Sequence, residues 1–229
     1  MDMNPKNIFK RLESKFLITQ EQYTFLHGLI AQHTTPDSFG SYLVQSIYFD
    51  TPDWAVIRHS IENPPFKQKM RLRCYGMPTI DSMPFLEIKK KCHNVVYKRR
   101  LTLPLYEGLN IREEVAKDNS LTGREFLFYL ERHPVYERAH VSYRRQALEN
   151  DSGLRVTFDS DIRFRSNMLH YQNPRDGLTI LPPRLMIMEV KTLGGMPLWL
   201  ASSLSENKIY PTPFSKVGEG YKKYVLGGK

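Results

Sequence analysis

The chain has 229 residues, 41% hydrophobic and 25% charged, enough to bury one substantial core. Lys and Arg number 33 against 24 Asp and Glu, a formal net charge of +9 that favours polyanionic partners such as nucleic acid, nucleotides, phosphate chains or an anionic membrane surface. Two cysteines, Cys74 and Cys92, are too few for a disulfide framework, and the scattered histidines make no zinc-like spacing with them.

The start, MDMNPKNIFKRLE, lacks the apolar core of a signal peptide, and no stretch approaches the roughly 18 apolar residues of a spanning helix. A soluble, cytoplasmic chain is therefore expected. Residues 8–18 alternate, with Leu12, Phe16 and Ile18 on one parity and Arg11, Glu13 and Lys15 on the other, which predicts a strand. Thr19 with Gln22 three residues on reads as a capping box, opening a helix whose apolar stripe is Phe25, Leu26, Leu29 and Ile30. YLVQSIYFDT predicts a buried strand ending in a turn, and WAVIRHSI fits either a short helix or a strand.

KMRLRCYG (69–76) sets Lys69, Arg71 and Arg73 against Met70, Leu72 and Cys74, a strand with one apolar and one cationic face. FLEIKKK (85–91) and VVYKRRLTL (95–103), joined by CHN, predict a hairpin; Glu87, Lys89 and Lys91 share one parity of its first arm, and Val96, Lys98 and Arg100 share a face of the second. Helical signals follow at about 109–117 and 120–133, before ERAHVSYRRQAL and LRVTFDSDIRFR return to alternation. There Tyr143 and Arg145 share a parity, as do Arg155, Thr157, Asp159, Asp161 and Arg163. HYQNPRDGLTILPP (170–183) reads as a surface loop, and RLMIMEVKTL as a strand with Glu189 and Lys191 on one face. PLWLASSLSEN predicts a helix starting on Pro197, and FSKVGEGYKKYV a loop running into a short helix. No linker or repeat divides the chain, so one antiparallel domain over 1–229 is expected.

A charged parity thus recurs in strand after strand. Any one such face fits ordinary solvation. Cations two residues apart on a strand lie about 7 Å from each other and repel by about 2 kcal/mol at an effective dielectric of 20, so an enclosed face of this kind needs an anion. Because the other parity is apolar throughout, the core lies between sheet and helices. The charged faces look elsewhere, and a closed barrel would turn them inward.

The set RLESKF, SIYFDT, KMRLRCYG, FLEIKKK, VVYKRR, SYRRQA, LRVTFDSD, MEVK and FSKVGEGY, in that order, resembles the VTC-type polyphosphate polymerase domain, a branch of the triphosphate tunnel metalloenzymes. The resemblance runs from about Phe9 to Tyr224. It implies an α+β fold: an antiparallel β-barrel tunnel lined with Lys, Arg and Glu, with helices packed outside. It also implies that Lys15, Arg71, Arg73, Lys89, Lys98, Arg145, Arg155, Lys191 and Lys216 hold phosphates, that Tyr143 and Ser215 help hold nucleotide or phosphate, and that Glu189 binds a divalent metal, Mn²⁺ or Mg²⁺. Arg71, Arg73, Lys216 and Glu189 would carry the chemistry. Such roles suit phosphoryl transfer, which asks the protein mainly for positioning and charge neutralisation.

One departure stands out. The triphosphatase and cyclase branches begin with a Glu-x-Glu-x-Lys strand, whereas RLESK has Arg11 at the first Glu, which removes a metal ligand and leaves Glu13 as a second contributor. That favours ATP-dependent polyphosphate synthesis, with ATP and polyphosphate as partners and no DNA. Hydrolysis of inorganic or nucleotide triphosphate is the alternative, and a non-catalytic polyphosphate- or nucleic-acid-binding module the third reading. RFRSN and YKKY mix aromatic and basic residues as RNA binders do, but the carboxylates on the cationic faces oppose a nucleic-acid backbone. The regulatory and membrane-spanning segments that accompany the eukaryotic polymerase are missing, so a catalytic domain alone is expected, any membrane-bound partner being unspecified.

Overall fold

Period-two alternation sets most of the architecture. A computed structural model describes residues 11–79, 81–93, 95–105, 110–167, 169, 171 and 173–227. The strands are β1 (Arg11–Thr19), β2 (Thr35–Asp50), β3 (Phe66–Tyr75), β4 (Phe85–Cys92), β5 (Val95–Thr102), β6 (Tyr136–Glu149), β7 (Arg155–Arg165), β8 (Leu178–Thr179) and β9 (Leu185–Leu193). The helices are α1 (Gln20–Ala31), α2 (Ala55–Ile61), α3 (Ile111–Ala116), α4 (Leu121–Arg132), α5 (Leu198–Glu206) and α6 (Lys216–Tyr221), the last continuing into a π-helical turn, Lys222–Leu226. One sheet pairs in the order β1-β9-β7-β6-β2-β3-β4-β5, with β8 on β7. This is the antiparallel sheet with helices that the alternation predicted; its order has two ends, β1 and β5.

The chain forms two compact units, each built from three segments. Of the described residues, those within 1–42, 144–161 and 181–214 form the first, and those within 43–143, 162–180 and 215–229 the second. Each has its own core. In the first, Phe16 and Ile18 of β1 pack with Leu26 and Ile30 of α1, Val156 and Phe158 of β7, Met186, Met188 and Val190 of β9, and Leu200 and Leu204 of α5. In the second, Met70, Leu72 and Cys74 of β3 and Leu86 and Ile88 of β4 pack with Ile111, Val115, Phe126, Tyr129 and Leu130 of α3 and α4. The apolar parity of each strand is the core face, so the charged parity falls on the opposite side of the sheet.

Local signals held closely at the helix starts. Thr19 accepts from the Gln22 amide and Gln22 Oε1 accepts from the Thr19 amide at 3.0 Å, the reciprocal box read from the sequence. WAVIRHSI resolves to α2, because the buried Asp50 carboxylate accepts the amides of Val56 and Ile57 and Thr51 Oγ1 accepts that of Ala55, each at 2.8 Å, which satisfies the donors of its first turn. Pro197 is the N-cap of α5 rather than its first helical residue. The loop expected at 170–183, of which residues 170 and 172 lie outside the described residues, contains β8, pairing Thr179 with Arg163 and Leu178 with Phe164. FSKVGEGYKKYV does run into a short helix, α6, with Ser215 capping the Gly218 amide at 3.3 Å. The expected first strand begins at Arg11; residues 8–10 and the side chain of Arg11 lie outside the described residues.

No described helix is long and apolar enough to cross a membrane.

Candidate functional site

In the second unit the registers of β2 to β5 turn the charged parities into cross-strand rows. Tyr48, Arg71, Glu87 and Arg100 face one another along one row, and Lys69, Lys89 and Lys98 along the next. Lys67 and Lys91 form a further pair, and Ser46 opposes Arg73. Like charges directly opposite destabilise a sheet, and the lysine row contains no carboxylate.

Glu87 organises this face. It is 1% exposed, and four cations converge on it: Arg71 at 2.8 Å, Arg73 at 4.0 Å, Lys98 at 2.5 Å and Arg100 at 2.6 Å. Burial alone would raise its pKa, but Arg71, Arg73 and Lys98 overcome it and hold the carboxyl well below the usual carboxylate range. Arg71 has two of its nitrogens on Glu87 and donates NH1 to Tyr48 Oη at 3.0 Å. Burial pushes the Tyr48 phenol up, yet Arg71, then Arg73 and Lys69, bring it down to about 8. Among the described residues this cluster therefore sets four cations around one carboxylate.

Arg73, buried at 7% exposed, donates Nε to Ser46 Oγ and NH2 to Tyr143 Oη, each at 3.2 Å. The Lys216 ammonium lies 4.5 Å from the Tyr143 ring centroid, and Lys69 Nζ donates to Ser215 Oγ at 3.1 Å. Helix α6 thus delivers Ser215 and Lys216 to the same cationic face, packed closely enough that Gly220 has Phe164 against it: an added Cβ would meet Phe164 Cδ2 at 2.2 Å. Of the residues expected to bind phosphate, Arg71, Arg73, Lys89, Lys98, Tyr143, Ser215 and Lys216 all belong to this unit.

The first unit holds a different set, on β1, β9 and β7. One cross-strand row reads Lys15, Glu189, Thr157 and the next Glu13, Lys191, Arg155. Lys15 Nζ lies 3.7 Å from Glu13 and 3.9 Å from Glu189, and donates to the Phe214 carbonyl at 3.0 Å; Lys191 is ion-paired to Glu189. Arg155 spans Glu149 at 2.5 Å and Asp37 at 3.2 Å. Arg145 makes a two-pronged bond to Asp159, at 2.7 and 2.8 Å, and Asp159 is fully buried, so much of this guanidinium is committed inside the protein.

Among the described residues no three His, Cys, Asp or Glu side chains converge as a metal site. The donor chemistry nevertheless suits a hard divalent cation shared with substrate phosphates, which takes only one or two carboxylates from the protein. Glu189 is 6% exposed and in register with Thr157, whose buried Oγ1 makes no hydrogen bond among the described residues, and Glu13 is joined to Glu189 through Lys15.

Sequence reasoning missed Glu87 as the centre, Arg100 and Tyr48 as its neighbours, and Thr157. The signal for Glu87 was present: in a hairpin turning through residues 92–95, Glu87 and Arg100 fall opposite each other, as Lys89 and Lys98 do. Which residue of β2 faced Arg71 depended on a non-local register.

Residues 10–225 match the VTC domain family. The chain belongs to that family. The VTC domain is similar in structure to the PH1819 protein of Pyrococcus horikoshii OT3, with a TM-score of 0.50 and 11% identity over 95% of this chain and 99% of that one. That likeness is one of fold alone. It is also similar to a putative adenylate cyclase of Vibrio parahaemolyticus (TM-score 0.47, 12% identity, 94% and 97% covered) and to a mimivirus capping enzyme triphosphatase (TM-score 0.38, 10% identity, 85% and 87% covered). No curated protein matches the chain. Family membership places this VTC domain with the tunnel-fold enzymes of triphosphate chemistry, a class that uses a divalent metal.

Proposed function

We propose that the VTC domain is a polyphosphate polymerase that transfers the γ-phosphate of ATP to the end of a growing phosphate chain. The observation that carries this reading is the cationic face of β3, β4 and β5, where arginines and lysines surround one buried carboxylate, Glu87. Phosphoryl transfer needs fixed positive charge around the equatorial oxygens more than it needs covalent chemistry. Arg71 and Arg73 would clamp phosphate oxygens with planar forks already held by Glu87, Tyr48, Ser46 and Tyr143, so little side-chain freedom is lost on binding. Lys89, Lys98 and Lys216 would serve as point charges along the chain, with Ser215 a hydroxyl contact. In the first unit Lys15, Lys191, Arg155 and Arg145 are the further cations assigned to phosphate, and Glu189 with Glu13 would hold Mn²⁺ or Mg²⁺. Such an ion, when bound, neutralises charge on the transferring group.

The runner-up reading is hydrolysis of triphosphate by the same residues. It draws on Glu13 and Glu189, two carboxylates sharing Lys15. Incubation of the pure protein with ATP and Mn²⁺, followed by gel separation stained for polyphosphate, separates the two. A ladder of long anionic chains is expected; orthophosphate alone would assign the protein to hydrolysis, and neither product would reduce it to a binding module.

A further inference from the structure

Tyr48 had no role in the sequence reading. It stands on β2 directly opposite Arg71, at 9% exposure, among Arg71, Arg73 and Lys69 of β3. Arg71 lies between two acceptors: Glu87 of β4 on its Nε edge and the Tyr48 hydroxyl on NH1. Its guanidinium carbon also sits 5.8 Å from the Tyr48 ring centroid. The neighbouring Arg73 is held in the same manner by a phenol, Tyr143 of β6, over whose ring Lys216 of α6 lies. We propose that Tyr48 is a positioning residue of the phosphate site, acting through Arg71: its neutral phenol aims the guanidinium, and its ionisation withdraws that cation from anions in alkaline solution. This rests on reading the cationic face as a phosphate-chain site.

The chemistry follows from the contacts. A phenol bonded to Arg71 accepts with one lone pair and leaves the guanidinium its full charge. A phenolate in the same place is a second fixed anion beside Glu87 and competes with substrate oxygens for the same nitrogens. With the phenol drawn down to about 8, that change falls inside the range in which the protein can be assayed, well below an ordinary tyrosine. By reciprocity, an anion bound at Arg71 must disfavour the phenolate and push its ionisation back to higher pH.

The test is triphosphate affinity of the parent and of folded Tyr48→Phe between about pH 6.5 and pH 9.5, with the tyrosinate absorbance of the parent titrated alone and with triphosphate. The ligand's own ionisation is common to both proteins and cancels in the ratio of affinities. That ratio should fall by about tenfold across the range, the parent binding more tightly at the acid end and more weakly at the alkaline end. A phenol step near 8 should appear in the parent, vanish in Tyr48→Phe and move upward when triphosphate is present, whereas Tyr75, whose phenol Arg73 also lowers, titrates in both proteins. A ratio independent of pH, or an early step absent or unmoved by triphosphate, overturns the role of Tyr48 and leaves the phosphate site standing. A parent that binds no triphosphate at any pH overturns the site itself, and this role with it. Should Tyr48→Phe fail to fold, the parent's early step and its response to triphosphate decide alone.

Discussion

Glu87 carries opposite obligations for folding and for binding. Its carboxylate compensates Arg71, Arg73, Lys98 and Arg100, so Glu87→Gln leaves buried guanidinium charge without its partner and should lower stability by about 2 to 3 kcal/mol, a value discounted because Lys98 and Arg100 are partly solvated. The same change adds a positive charge to the site, so triphosphate should bind the folded variant more tightly. Denaturant unfolding and calorimetric titration measure the two, and a variant that loses both would show Glu87 to be a scaffold only. The folded carboxyl lies below its ordinary 4.5, so its contribution to stability is complete above that pH and is lost as pH falls below it. An acid titration of stability should therefore flatten between pH 2 and pH 4.5 in Glu87→Gln, where the parent declines.

At the same scale, Glu189→Gln and Arg73→Ala should part company. Glu189→Gln keeps the cations and removes a proposed metal ligand, so triphosphate affinity should persist while turnover with Mn²⁺ is lost. Arg73→Ala removes a charge-assisted contact worth roughly 1.5 to 3 kcal/mol, so affinity should fall by about tenfold or more. Affinity and single-turnover rates for both variants check the split; normal turnover in Glu189→Gln would refute the metal assignment.

At the scale of elements, α6 is a short helix with a precise task. Ser215 caps it and meets Lys69, Lys216 lies over Tyr143, and Gly220 admits Phe164 against the helix backbone. Gly220→Ala would drive a methyl into that ring. It should destabilise the protein by about 1 to 3 kcal/mol and, by shifting Ser215 and Lys216, weaken triphosphate binding in the variant that still folds. Thermal unfolding and titration of that variant check both effects. The element was hard to read because its signals conflict: two glycines argue against a helix, and only the tight approach of Phe164 explains the one at 220. The β4–β5 hairpin shows the reverse case. Its alternation and tight turn left one register consistent with an apolar core face, and the observed pairing of Leu86 with Leu101 and Glu87 with Arg100 is that register.

For the molecule as a whole, the formal charge of +9 says only that anions are welcome. A built site makes a stronger demand: millimolar triphosphate should raise the melting temperature by mass action, and apolar ligands should not. The effect should shrink as salt rises, because part of the attraction comes from solvated lysines such as Lys89 and Lys98. A thermal shift series in triphosphate at low and high salt measures this, and no shift at low salt would count against the cradle.

Strand positions, the capping box at Thr19 and the segregation of apolar from charged faces were set by the sequence alone, because period two and local hydrogen bonding act within a few residues. Met70, Leu72, Cys74, Leu86 and Ile88 are core for that reason, and Lys69, Arg71 and Arg73 are opposite them. Tertiary structure alone decided which charges compensate each other. That Arg71 pairs with Glu87, that Arg145 pairs with Asp159, that Asp50 caps α2 and that the Tyr48 hydroxyl meets the Arg71 guanidinium all depend on contacts between segments distant in the chain or on the turn that joins them. A charged residue's parity gives its face; its partner is fixed only when non-local strands pair, and at distances of 3 to 4 Å that partner decides whether a cation is structural or free to meet substrate.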